Sequence, residues 1–297
     1  MACTGCIAEK KVLPKRSYTV GVVLKSMDSE HWLAVRSGLQ AAAQQYNVDL
    51  VVLSAERETA AEEQRKIIFD LLNSHIDALV VSPCDVYQSA DYAAIAKRKG
   101  IPFFTMDEMI ESVSYIGSDN FQIGVTAAGQ LQQILPDTVC ETAIIMGNQQ
   151  QNAHLKRAAG FREGISERVG WKVVAEEIAD SDFAAAYGKT KQIIKEHPQV
   201  HGLFVTSAVM GLGAIEALEE MGLEHTVHLI GVDKQDDLIL AVQQRKADVI
   251  ISQDGYAEGI LAIQTVVKAL NGEPYDNPAY IENHLITREN AADYLQQ

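Results

Sequence analysis

Short apolar runs that end on a polar residue recur along the chain, each followed by a segment with helical spacing. Tyr18–Leu24 runs into Lys25-Ser26, Asp49–Leu53 into Ser54, Asp77–Val81 into Ser82 and Ile101–Met106 into Asp107. The phrase returns as His201–Val205 before Thr206-Ser207, Val227–Val232 before Asp233, and Asp248–Ile251 before Ser252-Gln253. Runs this apolar, about 20–30 residues apart with helices between, predict buried parallel strands built from βαβ units. Ligands of such sheets bind beyond the carboxyl ends of the strands. The residues there are acids, amides and hydroxyls with one lysine, a set suited to hydrogen-bonding a small polar molecule.

The predicted order of the first half is strand 18–24, helix 30–46, strand 48–53, helix 59–74, strand 77–81, helix 88–99 and strand 101–106. In helix 59–74, Ile67, Leu71 and Leu72 share one face, and Thr59 with Glu62 suggests a capping box. A strand at 114–116 ends in Gly117-Ser118-Asp119-Asn120. The alternation then restarts with helix 121–135, strand 142–146, helix 153–168, strand 171–178, helix 183–196, strand 201–205, helix 209–221, strand 227–232, helix 236–245 and strand 248–252. Helix 256–270 and an extended piece over 279–286 follow. No low-complexity linker divides the halves, which predicts a two-lobed unit with short crossings.

At 297 residues the chain suits two domains. Its 47% hydrophobic and 22% charged residues are ordinary for a globular protein, and no run of about 18 apolar residues suggests a membrane span. The net charge of −15 argues against nucleic acid as a partner, since phosphate is met by Lys and Arg. Cys84 and Cys140 fall in or beside strand-like segments and read as buried thiols. Cys3 and Cys6 precede the periodic pattern, without the second ligand pair or folded context that metal or redox use requires. Ala2-Cys3 reads as the end of a lipoprotein cleavage site, with Cys3 lipidated and 1–16 a tether to the membrane surface. No metal or cofactor is expected.

Several phrases together resemble the type I periplasmic sugar-binding proteins, the ribose-, galactose- and xylose-binding components of bacterial uptake systems. They are VGVVLKSMDSEHW (20–32) with LAVRSGLQAAA (33–43), DALVVSPCD (77–85), GIPFFTMD (100–107), IGSDNFQIG (116–124), AAGFREGI (158–165), VMGLGAIEAL (209–218), LIGVDKQDD (229–237) and IISQDGYAEG (250–259). The resemblance spans about residues 18–288. It implies an α/β fold of two Rossmann-like lobes with parallel sheets and a three-segment hinge, the ligand being clamped between them. The crossings are expected near Ser118-Asp119, Gln253-Asp254 and Glu282-Asn283. One lobe would then be 17–118 with 254–282 and the other 119–253 with 283–297.

By the same resemblance, Asp107 and Asp233 are expected to accept from ring hydroxyls, one from each lobe, and Gln253 to bond the ligand near the hinge. Carboxylates suit this role as acceptors of paired O–H donors. His31 and Trp32 are expected to pack a ring against the sugar, with Lys25 and Asp28 in the same loop. Glu108 stands where ribose-type members carry an arginine, and Ser207 where they carry an asparagine. Ser181 stands at an aromatic position, with Phe183 two residues on. Leu155 stands nearest a second arginine, with His154, Lys156 and Arg157 around it. Asn152, in the amide-rich loop 148–152, is expected to replace lost donors. The cleft would then be rich in acids (Glu30, Asp107, Glu108, Asp233), which disfavours plain ribose and leaves xylose, another aldose, a polyol or an amino sugar.

The resemblance implies an extracytoplasmic solute-binding protein that presents a monosaccharide to the permease of an ABC transporter, or signals its presence to a membrane sensor kinase. A repressor effector domain of the lac-repressor-like family shares the fold, but would need a helix-turn-helix ahead of the lobes. The residues before the first strand carry cysteines and no helical pattern. An enzyme is disfavoured, because His-Glu-x-x-His, Gly-x-Ser-x-Gly and Walker A are absent. Gly211-Leu212-Gly213 reads as close helix packing.

Overall fold

The chain, described by a computed structural model over residues 17–135 and 139–295, builds two sheets. Cys3, Cys6 and the expected tether lie outside these residues. The first sheet holds β1 (Tyr18–Leu24), β2 (Val48–Ser54), β3 (Ala78–Val81), β4 (Phe103–Met106), β5 (Ser114–Gly117) and β11 (Ala279–Tyr280). The second holds β6 (Glu141–Met146), β7 (Lys172–Ile178), β8 (Val200–Val205), β9 (His228–Val232), β10 (Val249–Gln253) and β12 (Asn283–Thr287). Their orders, β11-β5-β4-β3-β1-β2 and β12-β10-β9-β8-β6-β7, mirror one another. All pairs are parallel except β10 with β12.

Each sheet is covered on both faces, because successive side chains of a strand point to opposite sides. Val20, Val22 and Leu24 pack with α1 (Glu30–Tyr46) and α9 (Gly255–Leu270). Val23, with Leu79 and Val81, faces α2 (Ala61–Leu72) and α3 (Val86–Lys99). In the second sheet Ile144 and Met146 meet α4 (Asn120–Ile134) and α5 (Asn152–Ser166). Ala143 and Ile145 meet α6 (Phe183–Glu196), α7 (Ala208–Glu220) and α8 (Asp236–Gln243).

The chain passes between the sheets three times, after β5, after β10 and between β11 and β12. Two of the crossings end on an aspartate that caps the next helix. Asp119 accepts from the Gln122 amide (3.0 Å) and Asp254 from that of Ala257 (2.9 Å). Each cap satisfies an otherwise orphaned N–H where the helix starts. The Ser118 hydroxyl donates to Asn283 Oδ1 (2.7 Å), tying the first crossing to the third.

Some details differ from the sequence reading. The capping box at Thr59 does not form: Ala60 holds the N-cap position without a side-chain bond, and Thr59 lines the cleft described below. The segment 279–286 splits into β11 and β12 where the chain changes sheets, and a short α10 (Ala291–Tyr294) follows. The strand expected from Ile101 starts at Phe103. Cys84 and Cys140 are buried free thiols.

Glycines set the helix spacing in each lobe. A Cβ on Gly124 of α4 would collide with the Arg157 carbonyl of α5, and one on Gly160 with the Phe121 carbonyl. Gly38 and Gly259 make the same exchange between α1 and α9, against Tyr256 and Val35. Gly213 likewise meets the Phe183 carbonyl, so the glycine pair in α7 serves close packing in part through this residue. Overpacking of such a contact costs about 1–3 kcal/mol. Gly160→Ala is therefore expected to lower the denaturation midpoint in urea. Gly188→Ala, exposed on α6 with open space around it, should be neutral or stabilising by up to about 1 kcal/mol.

Candidate ligand-binding cleft

The carboxyl ends of the two sheets face a shared cleft of about 670 Å³. From the first lobe it takes the β1–α1 turn with Lys25, Asp28, His31 and Trp32, the β2–α2 turn with Arg57, Glu58 and Thr59, and Asp107 after β4. From the second it takes His154 and Arg157 of α5, Ser181 and Phe183 after β7, Ser207 after β8, Asp233 after β9 and Gln253 of β10.

Asp107 and Asp233 share a backbone device. Each follows its strand in the left-handed region, with φ of 61° and 71°. This conformation is uncommon for a side chain other than glycine, though aspartate tolerates it better than most. Strain of this kind clusters at functional sites.

A row of alternating charges joins the two aspartates. The Lys25 ammonium, only 2% exposed, donates to Asp107 Oδ2 and Glu108 Oε1, both at 2.6 Å, and to Gln151 Oε1 at 3.3 Å. Arg157 donates from Nε to Asn120 Oδ1 and from Nη1 to the Thr206 carbonyl, both at 2.8 Å. Its Nη2 lies 3.9 Å from Asp107 Oδ1 and its Nη1 3.8 Å from Asp233 Oδ2. These last two gaps exceed a hydrogen bond, so the acids keep acceptor capacity towards the cleft. Gln253 donates to Asp233 Oδ1 at 2.6 Å, leaving its buried carbonyl oxygen without a partner among the described residues.

Burial raises the Asp107 carboxyl, but Lys25, Arg157 and His31 together outweigh it and hold the group down at about 2. Burial pushes Glu108 up to about 7 against the opposing pull of Lys25. Burial, then the charges of Arg157 and Lys25, hold His154 well below the ordinary histidine value. This ring meets the Thr206 hydroxyl at 2.8 Å through Nδ1 and the Ser181 hydroxyl at 3.4 Å through Nε2.

Nine of the eleven residues expected at the ligand line this cleft: Lys25, Asp28, His31, Trp32, Asp107, Ser181, Ser207, Asp233 and Gln253. Lys25, however, directs its donors to protein acceptors. Trp32 is 2% exposed, with its indole N–H bonded to Glu58 Oε1 at 2.9 Å. Glu108 and Asn152 do not line it. Glu108 is fully buried against Lys25, because a desolvated carboxylate needs its partners close. Asn152 sends its amide to the Met109 carbonyl at 3.0 Å.

The expected loss of cationic donors is also corrected, since Arg157 stands between the two aspartates. Helical spacing on α5 carries the missed signal. His154, Arg157, Ala158, Phe161 and Ile165 form its buried face, while Leu155 is only partly buried beside it. Glu58 and Thr59 were missed because they lie beyond Ser54, the polar residue that ends β2 and marks that strand's end in the sequence.

Two lobes with acceptors facing each other across a hinged cleft define a ligand-clamping protein. The family model described as periplasmic binding protein domain matches residues 20–274, and the chain belongs to this family. The ribose import binding protein of Haemophilus influenzae is 28% identical over 258 residues, covering 86% of each chain. Among solved structures, a solute binding protein of Actinobacillus succinogenes with bound D-allose superposes with a TM-score of 0.86 at 24% identity, over 94% of this chain and 100% of the other. A carbohydrate transporter solute binding protein of Agrobacterium radiobacter with D-arabinose gives 0.87 at 24% identity, over 93% and 96%. The fold is that of the type I sugar-binding members, and the chain is a solute-binding protein of the extracytoplasmic kind; members of the family are binding proteins and not enzymes.

The unfolded chain takes up a proton on His154 near pH 6.5 that the folded cleft refuses. Stability from the neutral ring is complete above that pH and is lost as pH falls, by at most about 1.4 kcal/mol per unit. His154→Gln is expected to flatten this part of the stability profile between pH 7 and 5, read by urea denaturation at each pH.

Proposed function

We propose that the chain captures a neutral monosaccharide, an aldopentose or aldohexose, between lobes 17–118 with 254–282 and 119–253 with 283–297. Delivery is to the permease of an ABC importer. The observation that carries this reading is the facing pair Asp107 and Asp233, one per lobe, with Arg157 between them. Vicinal hydroxyls satisfy such a site, donating to the carboxylates and accepting from the free Arg157 N–H groups. His31, set edge to face against the buried Trp32 at 4.9 Å, lines the cleft where the sugar C–H bonds would pack.

Lys25 and Arg157 stand against Asp107 and Asp233, which favours a neutral sugar over an amino sugar. The sugars named for its relatives, ribose, D-allose and D-arabinose, are the first to try, with xylose and polyols beside them. Lipidation of Cys3 would hold the protein at the outer face of the membrane, within reach of the importer.

The test is thermal denaturation against this panel at millimolar concentration. A sugar at about 100 times its dissociation constant adds about 2.7 kcal/mol, and Asp233→Ala is expected to abolish that gain. A shift with amino sugars alone overturns the neutral-sugar reading, and no shift across the panel overturns the monosaccharide reading. Trp32 lines the cleft and Trp171 does not. In Trp171→Phe the bound sugar should still change the indole fluorescence, and in Trp32→Phe it should not.

A further inference from the structure

The start of α5 is capped in an unusual way. Gln151 holds the N-cap position but makes no side-chain bond to its own helix. Its amide instead reaches into the first lobe, accepting from Lys25 at 3.3 Å and donating to the Glu58 carbonyl at 3.3 Å. The free N–H of Ala153 is taken by a residue of that same lobe: Glu108 Oε2 accepts from it at 3.0 Å. The other oxygen of Glu108 is held by Lys25. On either side the Val86 amide donates to the Gln150 carbonyl at 3.1 Å and Asn152 bonds the Met109 carbonyl. All of these bonds except that of Lys25 with Glu108 join the two lobes, and both partners of each are protein groups.

The location gives the set its meaning. Hinge strands β5, β11, β10 and β12 lie at one edge of their sheets, whereas β6, which leads into α5, lies next to the opposite edge. The helix so capped carries His154 and Arg157. We propose that Glu108, held by Lys25, is a helix cap supplied across the cleft, and that with Gln151 it forms a latch favouring the closed clamp before any ligand contributes.

Glu108 is then a positioning residue. It fixes the start of α5, and so sets Arg157 against Asp107 and Asp233. Opening would strip α5 of this cap and return Gln151 to water, while the Lys25 pair with Asp107 stays within the first lobe. The Glu108 bond satisfies an N–H that the helix start otherwise leaves orphaned, and Gln151 accepts from the charged Lys25 ammonium. Closure therefore does not rest on the ligand alone.

The test is the distance between spin labels at cysteines replacing Lys66 and Lys195, exposed on α2 and α6, in full-length protein with Cys3 and Cys6 changed to serine. Cys84 and Cys140 are buried and should stay unlabelled. Without sugar, the unsubstituted latch should give mainly the shorter distance. Gln151→Ala and Glu108→Gln should each lower the ratio of short to long distances at least fivefold. Gln151→Ala leaves every charge in place and decides the matter if Glu108→Gln folds poorly.

Identical distributions with and without the substitutions, whether short or long, overturn the latch. The proposal rests on the clamp reading but not on the sugar, so a failed sugar panel leaves this result standing. Where a binding sugar is found, its dissociation constant in Gln151→Ala should rise by the factor by which the closed fraction falls.

Discussion

A buried charge has to be paired, and the row Lys25, Asp107, Arg157, Asp233 is where this chain meets that demand. Taking an ionised group out of water is too costly to leave unanswered. Asp107 is therefore held by Lys25 on one side and faces Arg157 on the other. Because Arg157 belongs to the second lobe and Asp107 to the first, the pairing that stabilises each charge also aligns the lobes. Asn120 reinforces the alignment from the first crossing. It accepts from Arg157 Nε and donates to the Asp107 carbonyl at 3.3 Å.

Rigid helix placement makes such alignment possible. Arg157 can reach Thr206, Asn120 and the two acids only if α5 lies close on α4, and the glycines at 124 and 160 allow that approach. The carbonyl against Gly124 is that of Arg157 itself, so packing and site share one residue. The first lobe repeats the arrangement with Gly38 and Gly259, where α9 begins just beyond the second crossing. Tight packing within each lobe leaves movement to the crossings, where Asp119 and Asp254 terminate the change of direction as helix caps. Hinges of this type need few residues.

Much of this was legible in the sequence, because both lobes rest on patterns with a single physical cause. Strands buried on two faces read as continuous apolar runs, and the polar residue that ends each run marks the cleft side. Asp107, Asp233 and Gln253 were visible for that reason. Residues whose role depends on a partner distant in sequence were not. Glu108 looked like a cleft acid because its neighbour Asp107 is one; its burial is decided by Lys25, 83 residues away. Arg157 lay in plain view, but a linear comparison pointed to Leu155, two residues earlier on α5 and only partly buried. Thr59 and Glu62 had the spacing of a capping box, yet the chain enters α2 one residue later. Spacing alone does not fix where a helix begins.

The left-handed turns at Asp107 and Asp233 give the two halves of the site a common logic. A carboxylate on an exposed flexible loop would lose freedom on meeting a sugar, and that loss would weaken binding. Here the ordering is done during folding: the Asp107 amide donates to the Ile116 carbonyl at 3.0 Å and the Asp233 amide to the Ile251 carbonyl at 3.1 Å. Each turn is thus anchored to a neighbouring strand of its own sheet. Lys25 and Gln253 then fix one oxygen of each acid and leave the other turned towards Arg157. Both carboxylates are thus positioned by the fold itself, and the conformational strain that places them is met by the sheets that carry them.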